Sequence, residues 1–269
     1  MTARDQKTDP IRKTSPFPLD IVLTNDDGIE SPGLWALYDA LAPDHRVMVA
    51  APERERSAVG HGITLHKPLR AYRTQVNGGY EGWAVSGTPA DCVKLCLLEL
   101  FDGTPDLVIS GINPGANVGI NVHYSGTVGA AKEAALYGVP AIAASVRDAQ
   151  SGHYAEAAAF VAHLACQVKA HGLPAGVFLN VNCPNAHMQT PIGVKIVRQG
   201  CETHDEFFDK RRDPRDRIYY WQGLETQPTY RQADSDGALL TAGYITITPV
   251  QCDMTDYAMI EQMQCWEIG

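Results

Sequence analysis

One stretch, residues 19 to 51, constrains the fold of this chain more than any other. Leu19-Asp20-Ile21-Val22-Leu23-Thr24 is short, apolar and rich in β-branched residues, and it stops at the turn-forming run Asn25-Asp26-Asp27-Gly28. That combination predicts a buried strand closed by a turn. Pro32-Gly33 then opens a helical pattern in which Leu34, Leu37 and Leu41 share one face. A second strand is predicted from Arg46 to Ala51. Strand, loop, helix and strand within about thirty residues form a βαβ unit, so the sheet begins parallel.

The same rhythm returns downstream. A helix is predicted over Thr88 to Phe101, with Pro89 near its start, where a missing N–H costs little. A strand from Asp106 to Ser110 leads into a long Gly/Asn loop, Gly111 to Ser125, and then an alanine-rich helix, Gly126 to Gly138. Pro140 to Val146 reads as a buried strand, Gly152 to His171 as a long helix, and Gly176 to Asn182 as a further strand. Between the first two units, Ile63 to Ser86 alternates polar and apolar residues around Asn77-Gly78-Gly79, the pattern of a hairpin inserted in or flanking the sheet.

The ends differ in character. Residues 1–18 are polar and read as a loose tail ahead of a single α/β domain over 19–269. Residues 195–232 are rich in charge and aromatics, including Phe207-Phe208 and Tyr219-Tyr220-Trp221. Such an arm either packs on a second subunit or folds back on its own sheet. The segment 195–269 is accordingly expected to include an oligomerisation arm.

Composition narrows the function classes. The chain has 269 residues, 45% of them hydrophobic and 20% charged, enough for a core that needs no staple. With 22 Lys+Arg against 31 Asp+Glu, its net charge of −9 argues against nucleic acid as a partner. Seven cysteines without CxxC spacing do not fit a secreted disulfide framework and suit a reducing cytoplasm. The N-terminus lacks the apolar middle of a signal peptide, and the apolar run Val139 to Val146 is far too short to span a bilayer. A soluble cytoplasmic protein without membrane association is expected.

In open α/β sheets, ligands bind beyond the carboxyl ends of the strands, and the loops there are unusual. Adjacent carboxylates at Asp26-Asp27 repel unless a cation lies between them, although a plain Asx turn also accounts for the dipeptide. The charges of Pro52-Glu53-Arg54-Glu55-Arg56-Ser57 read first as a solvated face. Ser110 to Gly119 is a long loop carrying Asn113 and Asn117, and long loops in compact domains are often functional. Ser125-Gly126-Thr127 at a helix start is a cap by default, and the same geometry makes an anion site. Asp, Ser and Asn oxygens suit Mg²⁺, Mn²⁺ or Ca²⁺ rather than structural zinc. The chain has no GxxxxGK[ST], no GxGxxG after a strand, no GxSxG and no EF-hand spacing.

These residues carry a resemblance. Thr24-Asn25-Asp26-Asp27-Gly28, Ala51-Pro52 leading to Ser57, Gly87-Thr88-Pro89-Ala90-Asp91 and Ser110-Gly111-Ile112-Asn113 through Asn117-Val118-Gly119 stand in one order. Tyr124-Ser125-Gly126-Thr127, Asn180-Val181-Asn182, Asp213-Pro214-Arg215 and Gly243-Tyr244-Ile245-Thr246 continue it. The series resembles the SurE family of stationary-phase survival proteins across nearly all of residues 19 to 256. The resemblance implies a Rossmann-like three-layer α/β/α sandwich and a phosphatase acting on nucleoside monophosphates, a 5′-nucleotidase with 3′-nucleotidase and exopolyphosphatase activity in some members. It implies one divalent ion per subunit, Mg²⁺ or Mn²⁺, held by Asp26, Asp27, Ser57 and Asn113, with Asp26, Asp27 and Asn113 in catalysis. Asn117, Ser125, Gly126 and Thr127 would lie beside the phosphate. It also implies a homodimer or homotetramer that exchanges C-terminal segments.

Three positions depart from the family pattern. Ala58 stands where many relatives have Gly, Asp216 where Gly is usual after Asp-Pro-Arg, and Ser235-Asp236 where Thr-Asp is common. The first is expected to stiffen the metal loop, and the other two to bear on the arm. His61 and His66 read as ordinary surface or loop histidines rather than as hydrogen-bond partners of a ribose or phosphate, since nothing fixes either ring toward the site. Arg211, Arg212, Arg215 and Arg217 read as a salt-bridged arm. The rival reading is a nucleotide-binding or sensing module without turnover, which the intact oxygen ligands disfavour.

Overall fold

The computed structural model describes residues 18–76, 78–147, 154–184, 191–201, 206–224 and 230–268. The expected tail through residue 17, the hairpin tip at Asn77 and the expected helix start at Gly152 lie outside them. β1 (Asp20–Thr24), α1 (Pro32–Leu41) and β2 (Arg46–Pro52) form the expected βαβ unit, with Ile21 opposite Val47 in a parallel ladder. β3 (Ala71–Val76) and β4 (Tyr80–Val85) are an antiparallel hairpin whose second strand joins β2 in parallel, so the hairpin flanks the sheet. α2 (Pro89–Leu95) starts at a capping box between Thr88 and Asp91 and runs into one wider helical turn, Cys96–Leu100.

β5 (Leu107–Pro114), α3 (Gly126–Leu136), β6 (Ala141–Val146), α4 (Ala155–His171) and β7 (Val177–Cys183) repeat the βα pattern. β8 (Val194–Ile196) and β11 (Ile245–Gln251) complete a nine-stranded sheet in the order β3-β4-β2-β1-β5-β6-β7-β11-β8. β11 is antiparallel to β7, whereas β2, β1, β5, β6 and β7 are parallel neighbours. Alternation along the strands feeds two cores. Ile21, Leu23, Ile109 and Ile142 face α1 and α4, while Val22, Val108, Ala143 and Phe178 face α2 and α3. The result is the expected α/β/α sandwich.

β5 corrects one expectation. Gly111 to Asn113 were read as loop, yet the strand continues through them to Pro114, with an irregularity between Ser110 and Asn113. Ile112 is fully buried there. Gly111 (φ +143°) passes so close to β6 that a Cβ would stand 2.4 Å from the carbonyl oxygen of Ala144. Apolar anchoring and a close backbone approach override the turn chemistry of the local sequence.

The chain crosses from β1 to β2 on one side and later places β5 on the other side of β1. That reversal opens a crevice at the carboxyl ends of β1 and β5, the switch point where open α/β sheets bind ligands. Beyond the sheet, β9 (Glu206–Arg212) and β10 (Ile218–Leu224) pair with each other. Arg211–Asp209, Arg212–Asp216 and Arg217–Asp213 ion pairs lace this arm, as expected. Phe207, Phe208, Tyr220 and Trp221 stay exposed on it. α5 (Asp236–Thr241) precedes β11, and α6 (Tyr257–Met263) buries none of its residues. Among the described residues, no helix is long and apolar enough to cross a membrane.

Candidate active site

The turn after β1 separates structural work from chemistry. Asn25 is fully buried and makes the Asx turn itself, its amide donating to the Gly28 carbonyl (3.0 Å) and its oxygen accepting from the Gly28 N–H (3.1 Å). The turn therefore needs neither aspartate. Asp26 is 4% exposed, and its Oδ1 accepts a 2.5 Å hydrogen bond from the Thr127 hydroxyl. Asp27 is half-buried, and its Oδ2 has no hydrogen-bond partner.

Burial pushes the Asp26 carboxyl above its ordinary value, although the hydrogen bond from Thr127 works against the rise. Burial pushes Asp27 up to about 7, helped by the negative charges of Asp26 and then Glu55. Two carboxyls held this closely without a cation are an unfavourable arrangement, because each resists ionisation of the other.

The helix that meets them is α3. Ser125 caps it, accepting from the Val128 N–H (3.1 Å), so the positive end of the helix dipole points at the crevice. Gly126 lets the helix approach closely, since a Cβ there would stand 2.8 Å from Cβ of Asp26. Thr127 is fully buried behind Asp26.

A cleft of about 720 Å³ collects Asp26, Asp27, Ser57, Asn113, Asn117 and Ser125 on one surface. Gly126 and Thr127 are not on that surface; they back the aspartates from α3. Ser57 donates to Oε1 of Glu55 (2.6 Å), and Asn113 turns its amide onto the Gly115 carbonyl (2.7 Å). Asn117 is 8% exposed and commits its side-chain amide to the Ser145 hydroxyl (2.8 Å). Its peptide N–H donates to Oδ1 of Asn182, and its carbonyl accepts from Asn180 and Asn182.

The donor set suits a hard cation. Among the described residues no group of three or more His, Cys, Asp or Glu is arranged to hold a metal. An ion in this cleft would therefore draw on the two aspartates and the neutral oxygens of Ser57 and Asn113. The unpartnered Oδ2 of Asp27 is the observation that favours such an ion.

Tyr124, from the Tyr124-Ser125-Gly126-Thr127 motif, also lines the cleft, as do Glu55, in a loop read as a solvated face, and Asn121 and Gln222, which the sequence did not single out. Asn180 and Asn182 carried a usable signal, being polar residues two apart on an otherwise apolar strand, hence on one face. His61 does not line the cleft, as expected; its Nε2 lies 2.6 Å from Oε2 of the buried Glu133 on α3, which fixes the ring elsewhere.

The departures at Ala58 and Asp216 fall on backbone that favours glycine. Ala58 (φ +56°) and Asp216 (φ +62°) are the non-glycine residues with positive φ among the described residues. Ser235-Asp236, expected to bear on the arm, begins α5, where the Asp236 carboxyl reaches Gly200 at the base of the arm and also Gly119 in the site loop.

The chain is similar to known proteins over most of its length. The family described as survival protein SurE matches residues 21–206. A protein called 5′-nucleotidase SurE from Desulfatibacillum aliphaticivorans is 57% identical over 249 residues, covering 92% of this chain and 98% of that protein. One of the same name from Syntrophobacter fumaroxidans is 46% identical over 250 residues, covering 92% and 99%. The crystal structure of a SurE protein from Aquifex aeolicus superposes with a TM-score of 0.79 at 36% identity, covering 91% of this chain and 98% of that one.

Proposed function

The chain belongs to the SurE family, and from that premise we propose how it works as a 5′-nucleotidase, a phosphoric monoester hydrolase dependent on a divalent cation. The substrate is a nucleoside monophosphate, and the 3′-phosphate and short polyphosphate belong to the same proposal. The observation that carries it is the adjacent carboxyls of buried Asp26 and half-buried Asp27, with Oδ2 of Asp27 unpartnered, under the N-terminus of α3.

Asp26, Asp27, Ser57 and Asn113 would hold Mg²⁺ or Mn²⁺. That ion supplies Lewis acidity toward a phosphate oxygen and the attacking water. The chain's own groups do the rest. The start of α3, with Ser125 on the cleft surface, turns a positive dipole end toward the phosphate oxygens, where charge builds during transfer. Thr127 locks Asp26 in place, so Asp27 is the carboxylate free to orient the water for in-line attack on phosphorus. The water oxygen bonds to phosphorus as the bond from phosphorus to the ribose oxygen breaks; Asp27 takes the water proton, and the leaving oxygen is protonated from solvent. No side chain is needed as a covalent nucleophile.

The chain is further proposed to assemble as a homodimer or homotetramer by exchange of C-terminal segments. The exposed aromatics of the β9–β10 arm and the unburied α6, with Met254, Tyr257, Ile260 and Trp266 on its surface and flanks, support that reading. Seven unpaired cysteines support a cytoplasmic location.

The test is phosphate release from AMP, GMP and p-nitrophenyl phosphate with Mn²⁺ or Mg²⁺, with and without EDTA, beside Asp26→Ala. Turnover should need the cation and vanish in the variant. Tight nucleotide binding with no release under any metal would overturn the catalytic roles and leave a sensing module.

A further inference from the structure

The loop that brings Asn117 and Tyr124 to the cleft after β5 is rich in Gly and Asn, and it buries Val118 and Val122 as apolar anchors. Beside these anchors its peptide groups are gripped from outside. Gly119 (φ +58°) opens the short helical turn Gly119–His123 that leads to Tyr124 and the cap of α3. Its N–H donates to Oδ2 of Asp236 (3.0 Å), and its carbonyl accepts from Nε2 of Gln199 (2.8 Å). Two residues earlier, Asn180 and Asn182 grip the peptide of Asn117.

Asp236 differs from the other holders. It is fully buried, yet it does not line the cleft. Its Oδ1 accepts from the N–H groups of Gly200 (2.9 Å) and Gly237 (2.8 Å), so three peptide donors converge on one carboxyl from three segments. Such an acceptor-only group cannot be replaced by an amide without setting a donor against a donor. Gly200 lies just ahead of the β9–β10 arm, so the same carboxyl ties the base of the arm to the site loop.

We propose that Asp236, with Gln199, is a positioning residue for phosphoryl transfer: it fixes Gly119 and thereby the placement of Asn117 and of the α3 N-terminus against the bound phosphate. This rests on the nucleotidase reading given above. Misplacement of about 1 Å costs about 100-fold in rate when a reaction relies on orientation. The effect should therefore fall on kcat and leave KM for the nucleotide nearly unchanged.

The experiment measures kcat and KM for AMP with Mn²⁺ in the wild-type enzyme, Asp236→Asn and Gln199→Leu, at a temperature well below each melting point. Amide hydrogen exchange is followed across residues 115–123 in the same proteins. The expected result is a fall in kcat of about 10- to 100-fold for Asp236→Asn and about 2- to 10-fold for Gln199→Leu, with faster exchange at Asn117–Gly119. If Asp236→Asn does not fold, the half-buried Gln199 decides the matter. Folded variants that keep wild-type kcat would overturn the proposal even if their melting points fall, since that is the mark of a purely structural tie. A wild-type protein that releases no phosphate would overturn the nucleotidase reading first and this inference with it.

Discussion

Replacing Asp27 by asparagine should stabilise the metal-free protein at pH 8 and abolish the benefit of a divalent cation. The carboxyl of Asp27 is pushed from the ordinary 3.8 up to about 7, chiefly by burial and then by the charges of Asp26 and Glu55. At 1.36 kcal/mol per pH unit, that displacement is worth about 4 kcal/mol. Partial exposure to solvent screens it to about 2 kcal/mol. The sign follows from proton counting. Between pH 3.8 and about 7 the folded state binds more protons here than the unfolded state, so stability falls as pH rises through that window. Asparagine has nearly the same shape and does not titrate. The variant and the wild type should therefore match at the acid end and diverge to about 2 kcal/mol at pH 8, or about 4–8 °C in melting temperature. Titrating groups remote from Asp27 act on both proteins and cancel in the difference, whereas Asp26 and Glu55, which are coupled to it, ionise more easily in the variant and add to the gain. A cation at 100 times its Kd would then add about 2.7 kcal/mol to the wild type and much less to the variant, reversing the order. The assay is thermal unfolding of both proteins in EDTA from pH 4 to 8, repeated with Mn²⁺. Equal melting temperatures across the whole range in EDTA would refute the reasoning, because the aspartates would then carry no unfavourable charge for a cation to relieve.

Ala58→Gly relieves a left-handed backbone conformation worth about 1–2 kcal/mol and returns about 0.5–1 kcal/mol to unfolded-state freedom. Calorimetry should show a rise of about 1–4 °C, with a smaller gain for Asp216→Gly, since Asp tolerates that region better than Ala. Glu133→Gln should weaken the contacts of the buried carboxylate with His61 and Lys94. The hydrogen bond from His61 holds Glu133 below its ordinary 4.5, so its contribution is fully present above that value and fades as pH falls through the lower folded one. Denaturant unfolding should show a loss of about 1–3 kcal/mol near neutral pH that shrinks in acid; a loss independent of pH would count against the ion pair.

The fold was legible where periodicity was local. Leu34, Leu37 and Leu41 on one helical face, between two short β-branched runs, need no distant information, and the βαβ unit stands as expected. The failures are places where pairing overrides local chemistry. Ser110-Gly111-Ile112-Asn113 looks like a turn, but its ladder with β6 and the burial of Ile112 make it strand. β11 is an ordinary Thr/Ile alternation until β7 lies beside it in antiparallel register.

The site divides along the same physical line. The residues proposed to hold the cation and phosphate stand out because their types are costly where they sit: two acids in a turn that Asn25 alone completes, beside the Ser125-capped start of α3. A residue proposed to touch ligand pays for its place locally, so its sequence neighbourhood betrays it. The residues that hold the loops in place pay nothing locally. Asn182 shows in the sequence only as a polar residue two from Asn180 on an apolar strand, Gln199 is half-buried in an extended stretch, and Asp236 reads only as part of a Ser-Asp pair at a helix start. Their meaning arises from partners 65, 80 and 117 residues away, at Asn117 and Gly119. Sequence therefore exposes the groups proposed to meet the substrate and hides the groups that aim them. By that argument a substitution that leaves Asp26, Asp27, Ser57 and Asn113 intact still changes the rate wherever it frees the peptide of Gly119.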